Sequence, residues 1–295
     1  MMRVLLSVSN KTGLVDLGRG LITRGAELVS TGGTERALIN AGLPVTAVSK
    51  VTGFPEMMDG RIKTLHPAIH AGILARRDRP DDLAALENQG ITPIDIVVVN
   101  LYPFAQAASA SDTTFDELIE QIDIGGPSMV RAAAKNFSDV LVVVEPADYS
   151  DLLEALDTPD GPDRRFRFDL ARKAFAHTAA FDTTIAAALS SVDTRGQVFS
   201  RSPLKLNEPV PEQVVVCAPK LQDLRYGENP HQSAALYASD QYDRWGFGAA
   251  ELIQGKELSF TNLLDLDAAA RLVLEFSDPT AVVIKHTNPS GVATA

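Results

Sequence analysis

A single cysteine, Cys217, and a single tryptophan stand among 295 residues. One thiol excludes an intramolecular disulfide and a thiolate cluster for zinc. In Val214-Val215-Val216-Cys217 it reads as a small buried hydrophobe. No apolar run is long enough to span a bilayer. Basic residues are outnumbered, 27 Lys and Arg against 38 Asp and Glu, for a net charge of -11. That balance excludes the cationic footprint of a nucleic-acid or acidic-membrane binder, so neither partner is expected. Met1-Met2-Arg3-Val4-Leu5-Leu6 runs straight into a strand-like segment without the apolar core and cleavage site of a signal peptide, which predicts a cytoplasmic protein. Also missing are the Walker pattern and the G-x-G-x-x-G fingerprint, which argues against a nucleoside triphosphate or a dinucleotide. His66 and His70 stand four apart, but Pro67 intervenes and no acidic partner is evident, so no metal is expected and both read as structural or substrate-side histidines.

What is present is an alternation of strands and helices. Strands are predicted at Arg3 to Ser7, Glu27 to Ser30, Pro44 to Val48, Ile94 to Asn100 and Val140 to Val144. Helices are predicted at Leu14 to Arg24, Thr34 to Asn40, Asp81 to Gln89, Phe115 to Gln121, Pro127 to Lys135 and about Phe168 to Leu189. Near-continuous apolar strands joined by helices imply an α/β fold with a parallel sheet covered on both faces. Pro203, Pro209, Pro211 and Pro219 crowd one stretch, which reads as a crossing between domains. The expected division is 1–196 for the first domain, 197–219 for the linker and 220–295 for a second, incomplete domain. Asp163-Arg164-Arg165-Phe166-Arg167 reads as a solvated approach to a helix.

Two loops suit a phosphate. Ser7-Val8-Ser9-Asn10-Lys11-Thr12-Gly13 follows the first strand and enters a helix, and Ser30-Thr31-Gly32-Gly33-Thr34 repeats the arrangement after the second. Both offer hydroxyls and backbone N–H groups at a helix start, where an anion is favoured. Helix capping explains either loop alone. Three further connections carry polar groups: Gly60-Arg61-Ile62-Lys63-Thr64-Leu65-His66-Pro67, Asn100-Leu101-Tyr102-Pro103-Phe104 and Gln121-Ile122-Asp123-Ile124-Gly125-Gly126-Pro127, the last entering a helix that ends near Lys135-Asn136. With that helix end they supply a guanidinium, two ammonium groups, a phenol and a carboxylate around a phosphorylated ligand. In the second domain, the apolar run Ala281 to Ile284 reads as a buried strand delivering Lys285 and His286 to a crevice, where the pair holds an oxyanion and moves a proton.

Ser7 to Leu14, Gly60 to Pro67, Asn100 to Phe104 and Gln121 to Gly126, together with Thr52-Gly53-Phe54-Pro55-Glu56 and Arg131-Ala132-Ala133-Ala134-Lys135-Asn136, closely resemble the inosine monophosphate cyclohydrolase half of the bifunctional purine biosynthesis family. Leu224 to His231 and Lys285 to Gly291 are similar to its other half, the aminoimidazole carboxamide ribonucleotide (AICAR) transformylase. The resemblance runs nearly end to end. It departs at Ser290, where bacterial members usually carry Cys, and at Ala295, beyond which family members continue.

The resemblance implies a methylglyoxal-synthase-like first domain followed by the start of a cytidine-deaminase-like α/β transformylase domain, in a homodimer. It implies formyl transfer from 10-formyltetrahydrofolate, a co-substrate rather than a tightly bound cofactor, to AICAR, then closure of the purine ring with loss of water. On this reading the partners are purine ribonucleotide intermediates. Ser7, Ser9, Lys11, Thr31 and Thr34 would hold the phosphate, with Arg61, Thr64, Asn100 and Gly125 as further contacts. Lys63, Tyr102, Asp123 and Lys135 would close the ring. Lys285 and His286 would transfer the formyl group, with Arg225, Tyr226, His231 and Asn262 contacting AICAR. The alternatives are a methylglyoxal-synthase-like enzyme and a noncatalytic module that binds a phosphorylated ligand.

Overall fold

The computed structural model describes residues 1–58, 61–102, 104–110, 112–190, 192–193, 199–201, 218, 220–237, 250 and 253–295. It divides into two compact units, Met1–Pro209 and Val210–Ala295. Cys217 and the four prolines of the expected crossing lie outside the described residues, as do Gly60 and Pro103.

The first unit is built on a five-stranded parallel sheet. Its strands are β1 (Arg3–Val8), β2 (Glu27–Ser30), β3 (Thr46–Ala47), β4 (Ile96–Asn100) and β5 (Leu141–Val143), in the order β3-β2-β1-β4-β5. In β1, Val4, Leu5 and Leu6 are fully buried, and so are Ile96 and Val97 in β4. Strands covered on both faces need apolar side chains at successive positions, which is why these stretches read as runs rather than alternations. The chain winds outward from β1 through β2 to β3, then returns to the other side of β1 for β4 and β5. The order therefore reverses between β1 and β4, and in open α/β sheets ligands sit outside the carboxyl ends at such a reversal.

The helices that cover the sheet follow the predicted pattern with additions. α1 (Leu14–Thr23) buries Leu14, Leu17, Gly18 and Leu21, the spacing of one helical face. α2 (Gly32–Asn40), the single turn α3 (Val48–Thr52), α4 (Pro67–Leu74) and α5 (Pro80–Asn88) precede β4. α6 (Phe104–Ser109), α7 (Phe115–Glu120) and α8 (Gly125–Lys135) lie between β4 and β5, and α9 (Tyr149–Leu156) and α10 (Arg164–Ser190) follow. α4 lacks a one-sided apolar pattern, since every residue but His70 is apolar; its start is nevertheless written in the sequence. His66 is the N-cap, its Nδ1 accepting from Ala68 N at 3.1 Å, and Pro67 occupies the first turn, where its missing N–H costs nothing. The expected solvated approach at Asp163 to Arg167 is found at Asp163, Arg164 and Arg165, which are exposed at the start of α10, but not at Phe166 and Arg167. The Asp163 carboxylate accepts from Phe166 N at 2.7 Å as a helix start, and Arg167 is half-buried with Nε donating to Pro162 O at 3.1 Å. Burial pulls the Arg167 guanidinium below its ordinary pKa. A short antiparallel pair, β6 (Val192–Asp193) with β7 (Ser200–Arg201), closes the described part of this unit.

The second unit holds two antiparallel hairpins, β8 (Lys220–Leu224) with β9 (Ala234–Tyr237) and β10 (Thr280–Lys285) with β11 (Asn288–Thr294), and helix α11 (Phe260–Val273). The expectation of a buried Ala281–Ile284 strand is overturned. Alternation in β10 turns Ala281, Val283 and Lys285 outward, Val283 being 64% exposed, because the strand pairs antiparallel with β11 as a half-covered ribbon. Lys285 and His286 are exposed at its tip, where His286 (φ 52) and Thr287 (φ 61) form the tight connection.

The end of α8 is tied to the end of α4 by buried Asn136, whose Nδ2 donates to Ile73 O at 2.9 Å and Ala75 O at 3.0 Å. Asn136→Ala removes both bonds and leaves two buried carbonyls without this donor, which should cost about 2–4 kcal/mol. Urea unfolding of the first unit, followed by circular dichroism, measures it. A loss under about 0.5 kcal/mol, the scale of an ordinary surface substitution, would show that the tie is replaceable.

Candidate active site

Five connections meet at the carboxyl edge of the sheet, around the β1/β4 reversal. The first, Ser9 to Gly13, is held open by one side chain. The Asn100 Oδ1 at the end of β4 accepts from Ser9 N at 2.6 Å and Asn10 N at 2.8 Å. Within the loop, Asn10 Oδ1 accepts from Thr12 N at 2.9 Å. Gly13 (φ 68) makes the left-handed turn into α1, with the Tyr149 ring against its backbone: a Cβ there would lie 3.3 Å from Cδ2. Although Lys11 as a residue is exposed, its ammonium turns back to donate to Val8 O and, at 3.3 Å, to Thr34 Oγ1. Partial burial lowers its pKa.

The second connection begins with Thr31, the N-cap of α2, which is buried along with Thr34. Thr34 Oγ1 both accepts from Val8 N and donates to Val8 O, each at 3.0 Å. Its hydroxyl hydrogen is thus already committed to β1, so Thr34 enters the site as the staple joining the two loops. Ser30 makes a similar tie, its Oγ donating to Leu6 O at 2.7 Å.

Lys63 reaches this second loop from the third connection. A Cβ on Gly32 would lie 3.7 Å from the Lys63 Nζ, so the ammonium rests on the glycine backbone. A larger residue at 32 would also be strained by its φ of 57. Thr64, next in the chain, is buried against α8: a Cβ on Gly125 would meet its Oγ1 at 2.6 Å. Asp123, just before α8, accepts from Gly126 N at 2.9 Å through Oδ1, and its other oxygen would lie 2.4 Å from a Cβ on Gly126. Glycine at 125 and 126 is therefore what lets Thr64 and Asp123 approach the helix start. Burial raises the Asp123 pKa above the ordinary carboxylate value, against the lowering effect of the Gly126 N–H and the Lys63 cation. Arg61, in the same connection as Lys63, is paired with Glu120 at the end of α7, its Nε donating to Oε2 at 3.2 Å. Tyr102 lies 47% exposed in the connection after β4.

Lys135 does not join this group. It ends α8, ten residues beyond Gly125, or about 15 Å along the helix axis. It lines instead a cavity of ≈ 780 Å³ with His70, Arg131, Phe137, Phe168 and Phe175. A smaller cavity of ≈ 290 Å³ is bounded by Phe54, Met57, Ile62, Lys63, Leu65 and His66. Size does not choose between them: the half-buried Asp123 carboxylate and the lysine opposed to it lie on the Lys63 side. No group of His, Cys, Asp and Glu able to hold a metal ion occurs among the described residues.

In the second unit the expected AICAR contacts are engaged locally. Arg225 lies over the Tyr226 ring at 4.8 Å and its Nη2 donates to the Tyr226 hydroxyl oxygen at 2.9 Å, which lowers the phenol's pKa. Asn262 is the N3 residue of a capping box, its Oδ1 accepting from Ser259 N at 3.1 Å, so its carboxamide oxygen serves α11. His231 is exposed in the Gly227–Gln232 turn. These four do not converge with Lys285 and His286 through any hydrogen bond among the described residues.

The fold and the loops at its carboxyl edge define an MGS-like domain, and the model of that domain matches residues 13–128. The AICARFT/IMPCHase bienzyme model matches residues 133–295, more than half of the chain, and the protein belongs to that family. It is 53% identical over 292 residues to the bifunctional purine biosynthesis protein PurH of Lacticaseibacillus casei, an alignment covering 99% of this chain and 54% of that protein. The corresponding figures for PurH of Halalkalibacterium halodurans are 49%, 99% and 55%. The chain thus spans about half the length of the curated relatives it matches. Among solved structures, a crystal structure of ForH aligns with a TM-score of 0.57 at 36% identity, covering 64% of this chain and 98% of that one.

The opposition of Lys63 and Asp123 has a measurable consequence. The Lys63 ammonium stabilises the Asp123 carboxylate, so Lys63→Met should move the Asp123 pKa still higher. Carbon-13 NMR titration of the side-chain carboxyl reads this directly. An unchanged or lower value would mean that the two charges do not interact.

Proposed function

We propose that the first unit closes the purine ring of formyl-AICAR to give inosine monophosphate and water. The observation that carries this reading is the placement of Lys63, with its ammonium on the Thr31–Thr34 loop and within electrostatic reach of the half-buried Asp123 carboxyl. A ribonucleotide phosphate at the two loops brings its base toward that pair. The carboxamide nitrogen attacks the formyl carbon, forming the ring C–N bond while negative charge grows on the formyl oxygen. Lys63 stabilises that oxyanion in a partly dehydrated setting, where a fixed cation is most effective. Asp123 receives the proton leaving the nitrogen; its raised pKa makes it a better base than an exposed carboxylate. The oxygen then takes one proton from Tyr102 and the other back from Asp123, the C–O bond breaks with departure of water, and the former formamide nitrogen gives up its proton to restore the Tyr102 hydroxyl as the C=N bond forms. The phosphate contacts are Ser7, Ser9, Lys11 and Thr31, with Thr64 and Gly125 around the remainder, while the Arg61 guanidinium is engaged by Glu120. Lys135 has no part in this scheme within one chain, given its distance along α8.

The other family reaction, formyl transfer from 10-formyltetrahydrofolate to AICAR, falls to Lys285 and His286 of the whole protein, with residues 220–295 as part of that domain and 197–219 as the link. It has less support here, since both side chains are exposed at a hairpin tip. We assign the protein to the cytosol as a homodimer. The groove between α4, α8 and α10 favours a second copy: Leu74, Phe168 and Phe175 are each 40% exposed or more beside Arg131, Lys135 and Arg172. Among the described residues no helix is long and apolar enough to cross a membrane.

Ultraviolet monitoring of the purified chain with formyl-AICAR tests the proposal, which predicts steady formation of inosine monophosphate. Lys63→Met should lower turnover about a hundredfold, with product affinity changed far less, because the ammonium acts on charge present in the transition state. Equal losses in turnover and affinity would recast Lys63 as a binding residue.

A further inference from the structure

Two of the connections that form the site are stitched together at three places. Lys63 faces Asp123 electrostatically, Thr64 Oγ1 comes so close to Gly125 that a Cβ there would lie at 2.6 Å, and Arg61 grips Glu120. The first is an attraction across space between the two proposed reacting groups, and the second is a close approach without a bond. The third is a two-pronged ion pair, Arg61 Nε and Nη2 donating to Oε2 and Oε1 of Glu120. Arg61 stands two residues before Lys63, and Glu120 stands three before Asp123. Planar guanidinium and carboxylate groups joined in this way fix orientation as well as distance.

We infer that Glu120 is a positioning residue for ring closure: by holding Arg61 it fixes the connection that carries Lys63 against the connection that carries Asp123. The inference rests on the ring-closure reading and deepens it, since Glu120 itself touches no reacting atom. Both partners are more than half exposed, so the pair contributes little to stability. Its leverage is geometric. The chain from Arg61 to Lys63 has no regular secondary structure, and from Glu120 to Asp123 only the last residue of α7 is helical. Within its own connection Ile62 pairs back with Met57 in a single bridge, but among the described residues no backbone hydrogen bond ties 61–63 to 120–123. Losing the clamp lets the ammonium drift from the carboxylate, and displacements of about 1 Å at a reacting centre can cost up to about a hundredfold.

Glu120→Gln removes the charge and keeps the shape, whereas Glu120→Asp keeps the charge on a shorter stem. In the full chain, we expect Glu120→Gln to lower kcat for ring closure about tenfold, a partial displacement on that scale, with inosine monophosphate affinity within about twofold. Glu120→Asp should recover part of the loss. The acidic limb of the kcat profile should also move to higher pH in Glu120→Gln, because Asp123 loses some of the cation that stabilises its carboxylate. A merely structural role would lower the melting temperature without moving that limb. Wild-type protein that forms no inosine monophosphate overturns the reading of the site and this inference with it. Active wild-type protein with a Glu120→Gln variant matching it in kcat and in the acidic limb overturns the inference alone.

Discussion

The parallel hydrogen bonding of β1 between β2 and β4 is the constraint on which the rest of the first unit depends. Leu5 pairs in register with Val29 on one side and Val97 on the other, and a strand so enclosed presents little but its ends to solvent. Its carboxyl end must then be followed by a turn that satisfies its own backbone groups. Asn100, from the neighbouring strand end, does this for Ser9 and Asn10, while Thr34 does it for Val8. The concave edge is therefore a consequence of closing the ladder, and an anion-binding loop costs little more once donors have been gathered there.

Chemistry enters where two irregular connections are drawn across that edge. Lys63 and Asp123 carry opposite charges. The carboxyl is held above its ordinary pKa by burial, and the ammonium keeps it from rising further. Glycines at 125 and 126 make that arrangement possible by admitting side chains where a Cβ would stand. A site of this kind is assembled from absent atoms as much as from present ones.

Much of this was legible in the sequence. Unbroken apolar runs such as Ile96-Val97-Val98-Val99 identified the inner strands, and the Ser, Thr and Gly of the two loops after β1 and β2 marked the ligand edge. Legibility failed where a side chain does two jobs or where pairing is settled at a distance. Thr34 read as a phosphate donor, and its hydroxyl staples two loops. Asn262 read as a ligand contact, and it caps α11. Ala281 to Ile284 read as a buried strand, because composition does not say which partner covers a face. Glu120 carried no local signal; only its meeting with Arg61, 59 positions away, gives it one. Lys135 was grouped with Asp123 by resemblance, and helix geometry separates them.

The length of α8 has an implication for how such chains can diverge. Asp123 precedes its first turn and Asn136 follows its last, the one facing Lys63 and the other bonded to the end of α4. Adding or deleting a single residue between them would rotate everything beyond it by about 100° and shift it by about 1.5 Å, breaking one attachment to preserve the other. Insertions and deletions should therefore be purged from 125–135, while the exposed turn at 157–161 between α9 and α10 is free to change length. Descendants of this sequence can remodel the turn; the helix they must inherit whole.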